Sequence, residues 1–307
     1  MHPAWPVIFF TTLAGWAQGL VIALAAGSIA AVAPTRELML TGLATAVVLL
    51  VAGLVCSMMH LGRPERAWRA VLMWRTSWLS REVIVLPALI AWLALWWLAE
   101  ATQRSSVVFP ALAIVLSLLL WLCTAMIYVC LKFIREWSHP LTIANYTVLG
   151  LASGMLLTAA LGIVTGDARY AVWCARWSVV LTTIALVVRG ASLTRNRRLR
   201  PVSTLQSATG IKSPQIKQMS MGMSAGAFNT REFFHGKSLW VVRNVRVGFI
   251  VLAFAMPIVL VFISIATRSG VALFAATALQ FVGLLAERWY FFAEARHPQN
   301  LYYQVIG

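Results

Sequence analysis

Long apolar runs separated by short polar connectors dominate the chain. A membrane-spanning helix needs about 20 mostly apolar residues, and eight stretches reach that length. Because lipid offers the backbone no hydrogen-bond partners, such runs must be helical. The pattern therefore predicts an all-α, polytopic membrane bundle with eight transmembrane helices in a single domain. The predicted spans cover roughly residues 5–32, 38–60, 82–99, 107–133, 141–164, 170–190, 246–266 and 271–293.

One polar segment, residues 191–245 between the sixth and seventh spans, is much longer than the other connectors. It is basic at its start and rich in Ser, Gly and Met further on. The segment is too polar to cross the bilayer and too long for a tight turn. Insertions of this size are usually functional, so we expect a loop that docks a partner, with a solvated basic loop at the lipid surface as the alternative.

Lysine and arginine are distributed unequally between the two sides of the predicted bundle. With eight spans, both termini and the even-numbered connectors share one side, and 20 of the 25 basic residues fall there. Basic residues are enriched on the cytoplasmic side of membrane proteins. This predicts an N-in/C-in protein with the long loop in the cytoplasm. The other side holds Arg36, Arg104, Arg169, Arg176 and Arg268.

The composition agrees with a membrane protein and excludes an ordinary soluble domain. Hydrophobic residues make up 61% of the chain and charged residues 11%, with a mean hydropathy of +0.81, whereas soluble domains have about 25% charged residues. The net charge of +16 would suggest nucleic acid in a soluble chain. Here the basic residues lie between apolar runs, so membrane orientation explains them and no nucleic-acid partner is expected.

Sequence motifs of soluble enzymes are missing from the chain. There is no P-loop, GxGxxG, HExxH or nucleophile elbow, so we expect a chain that does not catalyse covalent chemistry alone. A membrane haem needs axial ligands, usually histidines, inside helices. The five histidines give no facing pair at membrane depth, so no haem is expected.

The stretch from Cys56 to Glu82 holds the most distinctive polar residues. His60 ends the second apolar run, and Glu82 opens the third after a basic, Trp-rich connector. Ionisable residues at the membrane edge suggest function, although an interfacial loop with arginines reaching toward water would show a similar composition.

A quinone-handling anchor is one function that would use these residues. Quinone reduction takes two electrons and two protons, and the chain lacks ligands for a redox centre, so a partner must supply the electrons. His60 can titrate near neutral pH, and Glu82 can donate or accept a proton. Arg66 and Arg81 could adjust the proton affinity of these two groups or bind the partner. A secondary transporter is the alternative from another class, although its expected charges within the spans are scarce.

The motif that starts at His60, HLGRPERA, and the motif SWLSRE that ends at Glu82 resemble the signature of the dimethyl sulfoxide reductase membrane-anchor subunit family. The eight-span layout is similar. The resemblance implies an anchor in a respiratory complex, anaerobic or sulfur-based, that contains a molybdopterin catalytic subunit and a four-cluster iron–sulfur subunit and exchanges electrons with membrane quinone, ubiquinone or menaquinone. In that family, the positions matching His60 and Glu82 are associated with the quinone site.

The motif TREFFHG at residues 230–236, together with the predicted cytoplasmic face, resembles a narrower subgroup. The members of that subgroup are membrane subunits of the cytoplasmic sulfite-oxidising molybdoenzyme. The resemblance implies electron flow from sulfite to quinone in a bacterial inner membrane. An S- or N-oxide reductase anchor that takes electrons from quinol is the alternative. The candidate quinone and proton-transfer residues are His60, Glu82, Arg66, Gln18, Glu287 and Tyr290. The candidate docking residues are Arg63, Arg81, Arg231, Phe233, Phe234 and His235.

Overall fold

The computed structural model describes residues 4–30, 32–59, 61–200, 204–216 and 239–296. Within these ranges the fold is all-helical, and eight helices are long and apolar enough to cross a membrane. This confirms the predicted fold class. The eight helices, named α1 to α8 in chain order, are Trp5–Ile29, Arg36–Met58, Trp78–Ala101, Val108–Val129, Pro140–Val164, Ala168–Arg198, Arg243–Thr267 and Gly270–Ala293.

Polar residues between the apolar runs set the starts of several helices. The side chains of Thr35, Ser77, Asp167 and Ser269 each accept a hydrogen bond from a backbone N–H of the first turn that follows. Such caps satisfy donors that have no partner inside the helix. Pro140 opens α5, at a position where its missing N–H does no harm.

Four segments differ from the simple pattern of spans and loops. Helix α6 continues from the predicted end at residue 190 to Arg198, because its last turn is basic and favours the negative end of the helix dipole. The connector before α3 forms a 3-10 helix, Pro64–Met73. Helix α7 contains a π-helical segment, Val251–Ala255, and a short helix, Leu205–Thr209, lies in the long connector.

Helices α1 and α5 form the centre of the bundle and are the most deeply buried spans. They cross where both lack side chains: a Cβ at Gly19 would collide with the backbone of Gly150 and Gly154. Both helices carry a GxxxG pattern there, starting at Gly15 and Gly150. Small residues at this spacing let helix backbones approach closely, and the remaining spans pack around this pair.

The two ends of the bundle are distinguished by their contacts. At the end where α6 and α8 finish, Asn196 Nδ2 donates to Glu294 Oε2 at 3.2 Å. We call this the basic end, because it carries the basic turn of α6. At the other end, Asp167 Oδ2 accepts a hydrogen bond from the backbone N–H of Thr35 at 2.8 Å. We call it the Asp167 end.

Candidate functional site

Glu82 is buried inside the bundle close to its basic end. It is the fifth residue of α3, about 6 Å from the start of the helix at 1.5 Å per residue, and its side chain is only 4% exposed. The hydroxyl of Thr124 on α4 donates a hydrogen bond to Glu82 Oε1. A buried carboxylate in a membrane helix is costly and marks a functional site by default.

The face of α4 that carries Thr124 also carries other buried residues with polar atoms. Trp121 and Tyr128 lie three residues before and four after Thr124, which places all three on one side of the helix. The indole of Trp121 lies against Gly150 of α5, and its Nε1 is buried without a hydrogen-bond partner among the described residues. This indole N–H is available to a polar ligand or to water.

Aromatic rings close the basic end of the bundle beside Glu82. Tyr128 stacks on Tyr146 of α5, with ring centroids 5.9 Å apart. Both rings pack edge-on against Phe291 of α8. Tyr128 lies one helical turn beyond Thr124, the residue that bonds the Glu82 carboxyl group. Two buried phenols and a buried phenylalanine ring therefore lie at the same end of the bundle as Glu82.

A buried ionic cluster continues from these rings across α8 to α6. The guanidinium of Arg288 lies over the ring of Tyr146, 3.8 Å from its centroid, and Arg288 Nη1 is 3.6 Å from Glu287 Oε2. On the other side, Arg189 Nε lies 2.7 Å from Glu287 Oε1. We call Arg189, Glu287 and Arg288 the ion triad; all three side chains are almost fully buried.

A small void lies next to the ion triad, between α1, α5 and α8. Thr12, Gly15, Leu284 and Arg288 are among the residues that line it. Its volume is about 10 Å³, which is room for about one water molecule. A quinone ring does not fit there, so this void does not match the quinone site that the sequence predicts.

Residues 1–292 match the family model described as DMSO reductase anchor subunit (DmsC). The match covers helices α1 to α7 completely and nearly all of α8.

The chain belongs to the DMSO reductase anchor-subunit family.

The chain is similar to two curated relatives. It is 46% identical to the C subunit of the sulfite dehydrogenase of Allochromatium vinosum, over an alignment that covers all of both chains. It is 27% identical to the anaerobic dimethyl sulfoxide reductase chain YnfH of Escherichia coli, over 51% of this chain and 57% of the relative. The resemblance expected from the sequence motifs is confirmed.

Three of the predicted site residues of this anchor subunit lie at the basic end. Glu82 lies beside the aromatic rings, Glu287 belongs to the ion triad, and the Tyr290 ring centroid lies 6.0 Å from the Arg189 guanidinium. Gln18 lies deeper. Its Nε2 donates to Ala14 O in its own helix, and it is ten residues, or about 15 Å, further along α1 than Ile8, which packs against the aromatic rings.

The predicted arginines before and at the start of α3 lie at the surface. Arg63 and Arg66 are exposed, and Arg66 Nε is 3.9 Å from Glu65 Oε1. Arg81 donates hydrogen bonds to the carbonyl groups of Trp74 and Arg75, which ties the connector to α3. Five predicted residues lie outside the described part of the chain: His60, Arg231, Phe233, Phe234 and His235.

Sequence reasoning missed several members of this cluster. Arg189 lies at the predicted end of the sixth span and was not a candidate site residue, whereas the structure buries it in α6 at 3% exposure. Thr124, Tyr128 and Tyr146 gave no signal, because apolar spans routinely contain such residues. A charged residue inside an apolar run was the available clue for Arg189 and Arg288.

Two titratable groups next to the cluster, outside the spans, are perturbed. Burial raises the pKa of Glu294, partly offset by the charge of Arg189 and the hydrogen bond from Asn196. Desolvation and the nearby Arg195 charge lower the pKa of His139. The basic end therefore favours neutral forms of both an acid and a base where α5, α6 and α8 meet water.

Proposed function

We propose that the chain is the membrane-anchor and quinone-reactive subunit of a molybdopterin and iron–sulfur oxidoreductase complex that oxidises sulfite. The observation that carries the quinone assignment is the buried Glu82 carboxyl group at the basic end, hydrogen-bonded to Thr124. The full-length similarity to a sulfite dehydrogenase subunit supports sulfite as the electron donor.

The chemistry divides between the subunits. On the partner catalytic subunit, sulfite and water become sulfate, two protons and two electrons. The iron–sulfur subunit, with four clusters, passes both electrons to a quinone held by this chain, and the quinone takes up two protons to become quinol.

This chain supplies the binding contacts and the proton path for the quinone. Glu82 holds or passes a proton at a carboxyl oxygen, and the hydrogen bond from Thr124 fixes the position of that oxygen. The free N–H of Trp121, on the same face of α4, is suited to bind a water molecule on this path. His60 acts with Glu82 in proton transfer, and Glu287 and Tyr290 belong to the polar groups at the basic end.

The iron–sulfur subunit docks on the basic end, which faces the cytoplasm. The exposed Arg63 and Arg66 and the long loop, with Arg231, Phe233, Phe234 and His235, provide arginine and aromatic groups suited to an interface. Electrons then enter next to Glu82, so the path from the last cluster to the quinone is short.

A second candidate, an S- or N-oxide reductase anchor that takes electrons from quinol, is favoured by the match to the YnfH chain. The same site would run in reverse, with Glu82 accepting protons from quinol. The two candidates share the anchor and quinone roles and differ in the substrate of the partner subunit.

The test is purification of the complex with gentle detergent from native membranes. We expect a molybdenum protein and an iron–sulfur protein in equal amounts with this chain, and sulfite-dependent reduction of a short-chain quinone. Reduction of an S- or N-oxide by quinol, without sulfite oxidation, would support the second candidate. A chain that purifies alone would contradict both.

A further inference from the structure

A cleft opens at the Asp167 end of the bundle, opposite Glu82. It lies between the start of α6, the end of α7 and the start of α8, and its volume is about 480 Å³. Its floor is apolar, with Ala171 and Ala175 of α6 and Leu273 of α8. Two cationic side chains, Arg176 and Arg268, also line it. The cleft therefore combines an apolar floor with two positive charges.

Neither guanidinium in this cleft has a charge partner in the described part of the protein. Arg176 and Arg268 are exposed, and within the described ranges neither side chain makes an ion pair or a hydrogen bond. Arg176 is the ninth residue of α6, about 12 Å along the helix, so it lies inside a membrane span. An unpaired charge there is unfavourable and calls for an anion from outside the chain.

The backbone at Arg268 adds an independent argument. This residue ends α7 in the left-handed conformation, with φ 54° and ψ 30°. Glycine is the favoured residue at such a helix end, because a side chain makes this conformation unfavourable. The chain nevertheless places a long cationic side chain there, which suggests that the guanidinium has a role.

We propose that this cleft binds the phosphate headgroup of one anionic phospholipid, such as phosphatidylglycerol or cardiolipin. The two guanidiniums contact the phosphate, and the start of an acyl chain lies on the apolar floor. Basic pockets between membrane helices are suited to such headgroups. The apolar floor favours a lipid over a free phosphate ion, which would leave Ala171, Ala175 and Leu273 uncovered.

The occupancy of the cleft can be measured by native mass spectrometry of the purified complex with full-length chain. The complex is delipidated in detergent and titrated with phosphatidylglycerol or with zwitterionic phosphatidylcholine. We expect the wild type to retain one phosphatidylglycerol per chain in preference to phosphatidylcholine. Equal retention of the two lipids would overturn the proposal.

Variants identify the residues responsible. Removing either guanidinium, with Arg176→Gln or Arg268→Gly, should weaken phosphatidylglycerol binding roughly fivefold, and the double variant roughly thirtyfold. Arg268→Gly suits the left-handed backbone, so it should fold at least as well as the wild type and keep the test valid if the double variant does not fold. Arg104→Gln, on the same end but outside the cleft lining, is the matched control.

Two outcomes oppose the lipid assignment. If the Arg268→Gly variant retains as much phosphatidylglycerol as Arg104→Gln, the cleft is not the binding site. If an excess of inorganic phosphate displaces phosphatidylglycerol from the wild type, the site takes a small anion instead of a lipid. Resistance to phosphate together with loss in Arg268→Gly would support the proposal.

Discussion

Arg189 Nε lies 2.7 Å from Glu287 Oε1 inside the bundle, and both side chains are at most 3% exposed. This contact joins α6 to α8 next to the aromatic rings at the basic end. Glu287 also faces Arg288, so one carboxylate interacts with two guanidiniums. Removing one member of a buried ionic group leaves an uncompensated charge, which is far more unfavourable than losing a surface pair.

Glu287→Gln should therefore destabilise the chain by about 3–5 kcal/mol and lower its melting temperature in detergent by roughly 10 °C. Glu65→Gln is the control, because its ion pair with Arg66 is exposed and such pairs are worth about 0–1 kcal/mol. Thermal unfolding followed by thiol-reactive fluorescence measures both. Equal melting temperatures for the two variants would mean that the ion triad does not stabilise the fold.

Glu82→Gln should slow quinone-linked turnover by on the order of 100-fold, because it removes a group that exchanges protons. Thr124→Val should give a smaller loss, on the order of tenfold, since the carboxyl group stays but loses its hydrogen bond. Dye-linked activity of the partner subunits should stay unchanged in both variants. The control is Glu37→Gln, at an exposed position in the first turn of α2, which should match the wild type in both assays.

If Glu82→Gln lowers the dye-linked and quinone-linked activities equally, Glu82 acts in assembly and the proton role is wrong. Subunit ratios on a gel of the purified variant separate these cases. Full subunit ratios with normal quinone turnover would also contradict the assignment.

Gly19→Ala should disrupt the crossing of α1 and α5, because the added methyl group meets the backbone of Gly150 and Gly154. Overpacking of this kind typically destabilises by about 1–3 kcal/mol, and here rigid backbone is the obstacle. Gly190→Ala in α6 is the matched control, since nothing lies within 4 Å of the new Cβ and alanine favours helix. Folded yield by fluorescence-detected size exclusion should fall only for Gly19→Ala.

Stability should depend on pH through His139. Its Nδ1 accepts a hydrogen bond from the backbone N–H of Leu141, and its pKa is lowered by desolvation and by Arg195. At pH values below the usual histidine pKa of about 6.5, His139 therefore binds a proton more readily in the unfolded chain than in the folded chain. Neutral His139 therefore contributes its full stabilisation of the fold above that pH. This stabilisation is lost as the pH falls from the usual histidine pKa to the lowered pKa of the folded chain.

His139→Asn keeps a good capping residue and removes this titration. The difference in melting temperature between pH 7.5 and pH 5 should be smaller in the variant than in the wild type. An unchanged difference would assign the pH dependence to other groups, such as Glu294.

Cysteine labelling tests the proposed orientation. Ser213→Cys in the long connector should react with a membrane-impermeant maleimide only in inverted vesicles, and Arg104→Cys only in right-side-out cells. Cys130 is exposed at the end of α4, so it is first replaced by serine. Labelling of Ser213→Cys in intact cells would reverse the topology.

The eight spans could be predicted from the sequence because the length of each apolar run is enough to identify a membrane-spanning helix. It also singled out Glu82 and Glu287, since carboxylates stand out at the ends of apolar runs. Arg189 shows where sequence reasoning fails. A single arginine near the end of a run is equally compatible with reaching toward water and with a buried ion pair, and only the packing of α6 on α8 distinguishes the two.

The aromatic groups around Glu82 were beyond prediction for a related reason. Tyr128 and Tyr146 look like ordinary members of the aromatic belt, and their stacking depends on how α4 and α5 are rotated against each other. The end of α6 was also misplaced, because its basic last turn has the composition of a connector, whereas the helix dipole favours those cations in helix.

The position of Glu82 near the same end of the bundle as the basic connectors has a bioenergetic consequence. If the electrons and the protons for the quinone both enter at that end, each turnover brings equal negative and positive charge into the membrane from the same side. No net charge then crosses the bilayer, whichever side the end faces. Turnover of this anchor would be electroneutral, and it would contribute to the membrane voltage only through the later oxidation of the quinol by other complexes.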